Sequence, residues 1–246
     1  RQIAVVVKSP HSSIAGNWPK LLAAWRSIGV TAGALLGWLA YKRISWQFSF
    51  PATLEWAISR RKIDVVYQPI IRIADNECVG VEALTRWTLH GQSISPEVFV
   101  RVAEENNLIQ SLTDAVLEKT IAQLGKMLVA NPTFYVSINV SSEDLRSVRF
   151  LNQLTSSLAG TGIAPRQIRI EATERSFMNT EETRGVIAAF RAAGHPIYID
   201  DFGTGYSSLS YLQSFEIDVL KIDKSFVDTI EQDTASSVVA HHIIAM

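Results

Sequence analysis

Five groups of polar side chains stand at the ends of short β-rich runs. They are Glu82, Asn139, Glu171 with Glu174, Asp200 with Asp201, and Lys221 with Asp223. All but the lysine are hard oxygen donors, and no histidine or cysteine joins them. Such donors suit Mg²⁺ or Mn²⁺ better than zinc or copper. The five histidines, His11, His90, His195, His241 and His242, show no metal-binding spacing. The single cysteine, Cys78, excludes a disulfide framework and reads as a packed strand residue. Clustered carboxylates repel one another, so cations must compensate them. Adjacent aspartates point to opposite faces of a regular strand. Asp200 and Asp201 can both reach a metal only if their strand ends or distorts there, and Phe202-Gly203-Thr204-Gly205 follows at once. Two neighbouring divalent ions would hold the attacking and leaving oxygens of a phosphodiester.

These side chains need elements that bring them to one place. Residues 63–73, 78–87, 134–140, 167–173, 196–201 and 217–222 read as strands. Helices are predicted from the cap and proline at Ser95-Pro96-Glu97, over about 110–129, from Ser142-Glu143-Asp144 to about Leu158, over 180–193 ending at Gly194, and from near Asp233. Strands alternating with helices predict βα units and a parallel sheet. With this many units, the α/β class points to a TIM-type (β/α)8 barrel, whose chemistry sits at the C-terminal strand ends. No GxGxxG follows the first strand, which disfavours a dinucleotide-binding sheet.

The N-terminal part is different in kind. The 246 residues are 47% hydrophobic and 19% charged, with a net charge of −1. That near-zero sum hides an asymmetry. Residues 1–50 carry six Lys/Arg and no acid, while residues 51–246 carry the other 17 bases and all 24 acids. An acidic body disfavours DNA as a partner. Leu21 to Tyr41 is an apolar run of 21 residues with one charge, Arg26. About 20 such residues span a bilayer core. Trp18, Trp25, Trp38 and Trp46 lie near its ends, as an aromatic belt would, and Lys42-Arg43 close it on the side of the body. The predicted division is an extracytoplasmic remnant at 1–17, a transmembrane helix at 18–43, a linker and first helix at 44–62, and the catalytic domain from 63. Gly29, Gly33 and Gly37 repeat on one helix face, a spacing that lets membrane helices approach closely. The alternative readings are a buried core helix for the apolar run and, for the spacing, the ordinary glycine enrichment of membrane helices.

The segment Glu82-Ala83-Leu84-Thr85-Arg86-Trp87 resembles the signature of EAL domains, bacterial phosphodiesterases that hydrolyse cyclic di-GMP. Further motifs follow in family order over about residues 51–246. They are Tyr67-Gln68-Pro69-Ile70, Ser137-Ile138-Asn139-Val140-Ser141, Glu171-Ala172-Thr173-Glu174, Asp200-Asp201-Phe202-Gly203-Thr204-Gly205 and Lys221-Ile222-Asp223. Ala172 replaces a usual leucine. The resemblance implies a barrel whose first strand is antiparallel to the rest, and a linear product, pGpG. It implies that Glu82, Asn139, Glu171 and Asp200 hold one ion, and that Asp200 and Asp201 reach a second. Lys221 and Glu82 would be catalytic. An ammonium among carboxylates suits orienting water and stabilising charge rather than serving as a free base. Gln68, Leu84 and Arg86 would contact substrate, the arginine through a phosphate. Glu174 would support the loop after Asp201, and Asp223 would support the site from behind. The stretch 203–212 resembles the loop that couples the metal site to dimerisation.

The resemblance also implies further βα units beyond Met246, the first bringing a glutamate of an E-G-V-E motif to the second metal. Six strands are too few for a closed barrel of about eight. The sequence is therefore expected to be an internal fragment, truncated at both ends and inactive or poorly folded alone. The expected protein is a phosphodiesterase of the bacterial inner membrane, with a cytoplasmic EAL domain, homodimeric through that domain and through the helix. A sensor outside the membrane would act through the helix on dimerisation. Two alternatives are a degenerate EAL receptor that binds cyclic di-GMP without cleaving it, and a soluble TIM-barrel metal enzyme of other chemistry, such as an enolising enzyme.

Overall fold

The computed structural model describes residues 18–178, 180–203 and 215–229. The predicted features at 1–17 and near Asp233, and most of the loop at 203–212, lie outside the described residues, as do the side chains of Trp46 and Met178. The chain divides into two compact units, Arg1–Ala52 and Thr53–Met246.

In the first unit, one helix dominates. Helix α1 (Trp18–Ser59) runs on through most of the 44–62 stretch read as a linker and first helix. It is long and apolar enough to cross a membrane by length and composition. Leu22, Trp25, Leu36 and Trp38 are all exposed on it. Its last turns, from Thr53, belong to the second unit, where Leu54, Ala57 and Ile58 are buried.

The second unit is a curled, mostly parallel sheet clothed in helices. Strand β1 (Asp64–Arg72) pairs antiparallel with β2 (Glu77–Leu89). Then β4 (Tyr135–Asn139), β5 (Ile168–Thr173), β6 (Ile197–Phe202) and β7 (Val219–Ile222) follow in parallel, giving the order β1-β2-β4-β5-β6-β7. A short β3 (Gln92–Ile94) folds back on β2. This hairpin lies beyond the strand expected at 78–87. Its two-residue turn is His90-Gly91, both at positive φ, the geometry that matches strand twist.

The helices carry the sequence periodicity. They are α2 (Pro96–Glu105), α3 (Ile109–Ala130), α4 (Arg149–Leu158), α5 (Thr180–Ala192) and the short α6 (Lys224–Val227). Pro96 opens α2 as expected, but the Ser95 side chain makes no capping bond. The single helix expected from Ser142 to Leu158 is two pieces. A 3₁₀ turn at Asp144–Arg146 stops where Ser147 is extended, and α4 then begins. Gly194 ends α5 at φ +94, a conformation that favours glycine.

Alternation along each strand sends one face to the helices and one inward. Val136, Ile138, Ile168, Ile170, Ile197 and Ile199 pack beneath the helices with Phe150, Leu154 and Phe190. The inward face is polar. Arg169 lies there with its guanidinium 3.1 Å from the Tyr135 ring centre and 5.1 Å from that of Tyr198. Gly80 makes room for this stack, because a Cβ there would stand 2.6 Å from the Tyr135 ring. Cys78 is exposed rather than packed. It sits near the outer end of the β1–β2 hairpin, where alternation does not translate into burial.

Candidate active site

The register brings the predicted carboxylates to one end of the sheet. Glu82 on β2 neighbours Ser137 on β4, Asn139 neighbours Glu171, and Thr173 neighbours Asp200. One carboxylate oxygen each from Glu82, Glu171 and Asp200 lies within 4.8 Å of the others. Lys221 Nζ stands among them, 3.0 Å from Glu82 Oε2, 3.1 Å from Asp200 Oδ1 and bonded to Glu171 Oε1. The Asn139 amide donates to Glu82 Oε1 at 2.8 Å.

The aspartate pair meets its condition. Ile199 pairs with Leu220 and Phe202 with Ile222, so Asp200 and Asp201 together face Lys221 alone. That is a β-bulge, with Asp201 at φ +54. Asp200 joins the carboxylate cluster. Asp201 instead lies beside the Asp223 carboxylate, whose charge acts on it. Asp223 also caps α6 by accepting from the Ser225 N–H at 2.8 Å.

Charge at this end is crowded. Burial pushes the Asp200 carboxyl up to about 6, and the Asp201, Glu82 and Asp223 charges add to the effect. Burial also raises Asp201, helped by the Asp223 charge. Asp223 is held low by hydrogen bonds from Ser225. Lys221 alone does not offset so many carboxylates. Glu171 Oε2 is buried with no hydrogen-bond partner among the described residues. An all-oxygen donor set, over-supplied with negative charge and holding one orphaned carboxylate oxygen, fits a hard divalent cation.

The remaining expected residues lie around this centre. Gln68 on β1 is exposed and stands opposite Glu82 in the ladder. Leu84 and Arg86 are half-buried on the same face of β2 as Glu82, and the Arg86 guanidinium donates to the Thr85 carbonyl at 2.8 Å. Buried Glu174 accepts from the Gly203 N–H at 3.3 Å, which ties it to the turn after Asp201. Phe177 is buried edge-to-face against Phe215. Two features escaped the sequence. Nothing local marks Arg169 as an inward cation, because its meaning depends on tyrosines of two other strands. Asp144 is a buried hub rather than a helix-opening surface residue. A serine three residues before an aspartate was its one available signal.

An acidic site at the C-terminal ends of a curled parallel sheet, with an antiparallel first strand, is the layout of a TIM-like barrel. The chain belongs to the EAL domain family, whose profile matches residues 52–246. It is 36% identical over 245 residues to the probable cyclic di-GMP phosphodiesterase PdeB of Escherichia coli, covering 99% of this chain and 47% of that protein. It is 32% identical over 207 residues to the cyclic di-GMP phosphodiesterase NbdA of Pseudomonas aeruginosa, covering 83% of this chain and 26% of that one. The chain thus spans about half, or less, of the curated relatives it matches. Among solved structures, it aligns with the PaMucR phosphodiesterase in its c-di-GMP complex at a TM-score of 0.74 and 28% identity, over 80% of this chain and 81% of that one.

Proposed function

We propose that this chain carries the catalytic site of a metal-dependent phosphodiesterase that hydrolyses cyclic di-GMP to linear pGpG. The supporting observation is the convergence of Glu82, Glu171 and Asp200 within 4.8 Å, with Asn139 and Lys221 bonded to them. Glu82, Asn139, Glu171 and Asp200 would hold one Mg²⁺ or Mn²⁺, and Asp200 with Asp201 would reach a second. Bound there, the ions would supply Lewis-acid charge at the attacked phosphodiester.

The chain's own residues do the positioning. Lys221 orients the attacking water and stabilises the charge that builds on phosphorus-bound oxygen. The water oxygen bonds to phosphorus, one P–O ester bond breaks, and the proton that the water gives up is balanced by one taken up by the leaving sugar oxygen. Arg86 offers its fork to a phosphate, and Gln68 and Leu84 border the substrate beside Glu82. Glu174 and Asp223 hold the bulge that presents the two aspartates.

The helix at 18–43 anchors this domain in the bacterial inner membrane with the body cytoplasmic, and the protein works as a homodimer. The test is hydrolysis of cyclic di-GMP by the full-length protein with Mg²⁺ or Mn²⁺. Appearance of pGpG is expected, falling about a hundredfold or more in Glu82→Ala. Tight binding without turnover would instead make it a degenerate receptor.

A further inference from the structure

We propose that Asp144, a residue outside the metal cluster, positions Asn139 for metal binding. The inference rests on the reading of Asn139 as a ligand. Asn139 is the last residue of β4, so the chain beyond it has no ladder to hold it. Two anchors replace the ladder. The Val140 N–H donates to the carbonyl of Glu171, itself a member of the cluster, at 2.8 Å. Ser141 is gripped by Asp144, whose Oδ2 accepts from the Ser141 N–H at 3.1 Å and from its hydroxyl at 2.8 Å. The Asp144 N–H returns a bond to Ser141 Oγ at 3.2 Å. These reciprocal bonds follow the pattern of a capping box and close the turn Ser141–Asp144 that leads into the 3₁₀ turn.

The same carboxylate is fixed from two other elements. Thr113 of α3 donates to Oδ2 at 2.9 Å, and Arg149 of α4 donates to Oδ1 at 3.0 Å. Arg149 is braced in turn by Asp114 at 2.8 Å. The Asp144 side chain is fully buried. A buried carboxylate is tolerated only when its lone pairs are met, and here the donors come from the loop after β4, α3 and α4. Asp144 therefore makes the backbone at 139–141 a rigid extension of the helical layer. The Asn139 amide, bonded to Glu82 at 2.8 Å, is held between fixed neighbours. Partners that orient a ligand without touching the ion commonly change metal affinity by about 10–100-fold.

The test is Mn²⁺ titration of the full-length protein without substrate, read by electron paramagnetic resonance of free Mn²⁺, with thermal unfolding alongside. Asn139→Ala should weaken Mn²⁺ binding. Asp144→Asn should weaken it about tenfold. The double variant should bind no worse than Asn139→Ala, within about twofold, because the second change acts through a side chain already gone. Thr113→Val removes one donor and leaves the carboxylate. It should give a smaller loss that also vanishes in the Asn139→Ala background, and it serves if Asp144→Asn does not fold. Wild-type affinity in both Asp144→Asn and Thr113→Val, or losses that add to that of Asn139→Ala, would overturn the role of Asp144 while leaving the ligand reading intact. Wild-type affinity in Asn139→Ala itself would overturn the ligand reading, and this inference with it.

Discussion

At the scale of single residues, the inward face of the sheet is tightly specified. Gly80 has no side chain because the Tyr135 ring fills that space, and the Arg169 guanidinium stacks on the same ring. Gly80→Ala should destabilise the domain by about 1–3 kcal/mol, read by urea unfolding. Tyr135→Leu in that background should recover part of the loss, since it removes the clashing ring. Asp200 gives a second residue-scale prediction. Its carboxyl is raised from 3.8 to about 6, so the folded state holds a proton there that the unfolded chain has released. Without metal, stability should therefore fall as pH rises from about 4 to about 6. A divalent ion must displace that proton. Mn²⁺ affinity should then rise through the same window, by up to about tenfold per pH unit. A Mn²⁺ titration flat between these pH values would remove Asp200 from the ligand set.

At the scale of elements, β6 does the most for the site and shows what a sequence can and cannot disclose. Its alternating apolar residues Ile197 and Ile199 announce a strand, and Asp200-Asp201-Phe202-Gly203 announces its functional end. The bulge that turns two consecutive aspartates against one lysine was legible only as a condition, because it depends on pairing with β7. The same limit explains the missed β3. Its turn, His90-Gly91, takes a geometry usually signalled by Asn-Gly. It also explains the broken helix after β4, where Asp144 turns inward to bonds from α3 and α4. The strands and the carboxylates at their ends were readable because they rest on local period and residue chemistry. The polar interior was not, because Arg169, Tyr135 and Tyr198 meet only after folding.

The junction between α5 and β6 carries its own prediction. His195 is buried, with Nδ1 2.9 Å from the Ile168 carbonyl, so its N–H donates there. Burial holds its pKa below 6.5. The unfolded chain takes up a proton below about 6.5 that the folded one resists, so stability should fall on acidification, by no more than about 1.4 kcal/mol per pH unit. His195→Asn should lower stability at neutral pH yet flatten that acid slope in urea unfolding.

At the scale of the whole molecule, charge and hydropathy divide along the same line as the two compact units. The near-neutral total is the sum of a basic, apolar head and an acidic body that holds the carboxylate cluster. On helix α1, Gly29, Gly33 and Gly37 fall within an arc of about 80° at a hundred degrees per residue. A Cβ added at any of the three would meet nothing within 4 Å. Substitution there therefore leaves the chain itself unstrained, and its effects report on what approaches from outside. If the proposed dimer uses this face, Gly33→Ile should hold two membrane helices apart and weaken self-association about tenfold, corresponding to the loss of ~1–2 kcal/mol of close packing. Leu35→Ile, on the opposite side of the helix, should leave association unchanged. Crosslinking yield in membranes, followed as the protein-to-lipid ratio is varied, separates the two. Equal yields for both variants would take the glycine face out of the interface and leave dimerisation to the catalytic domain.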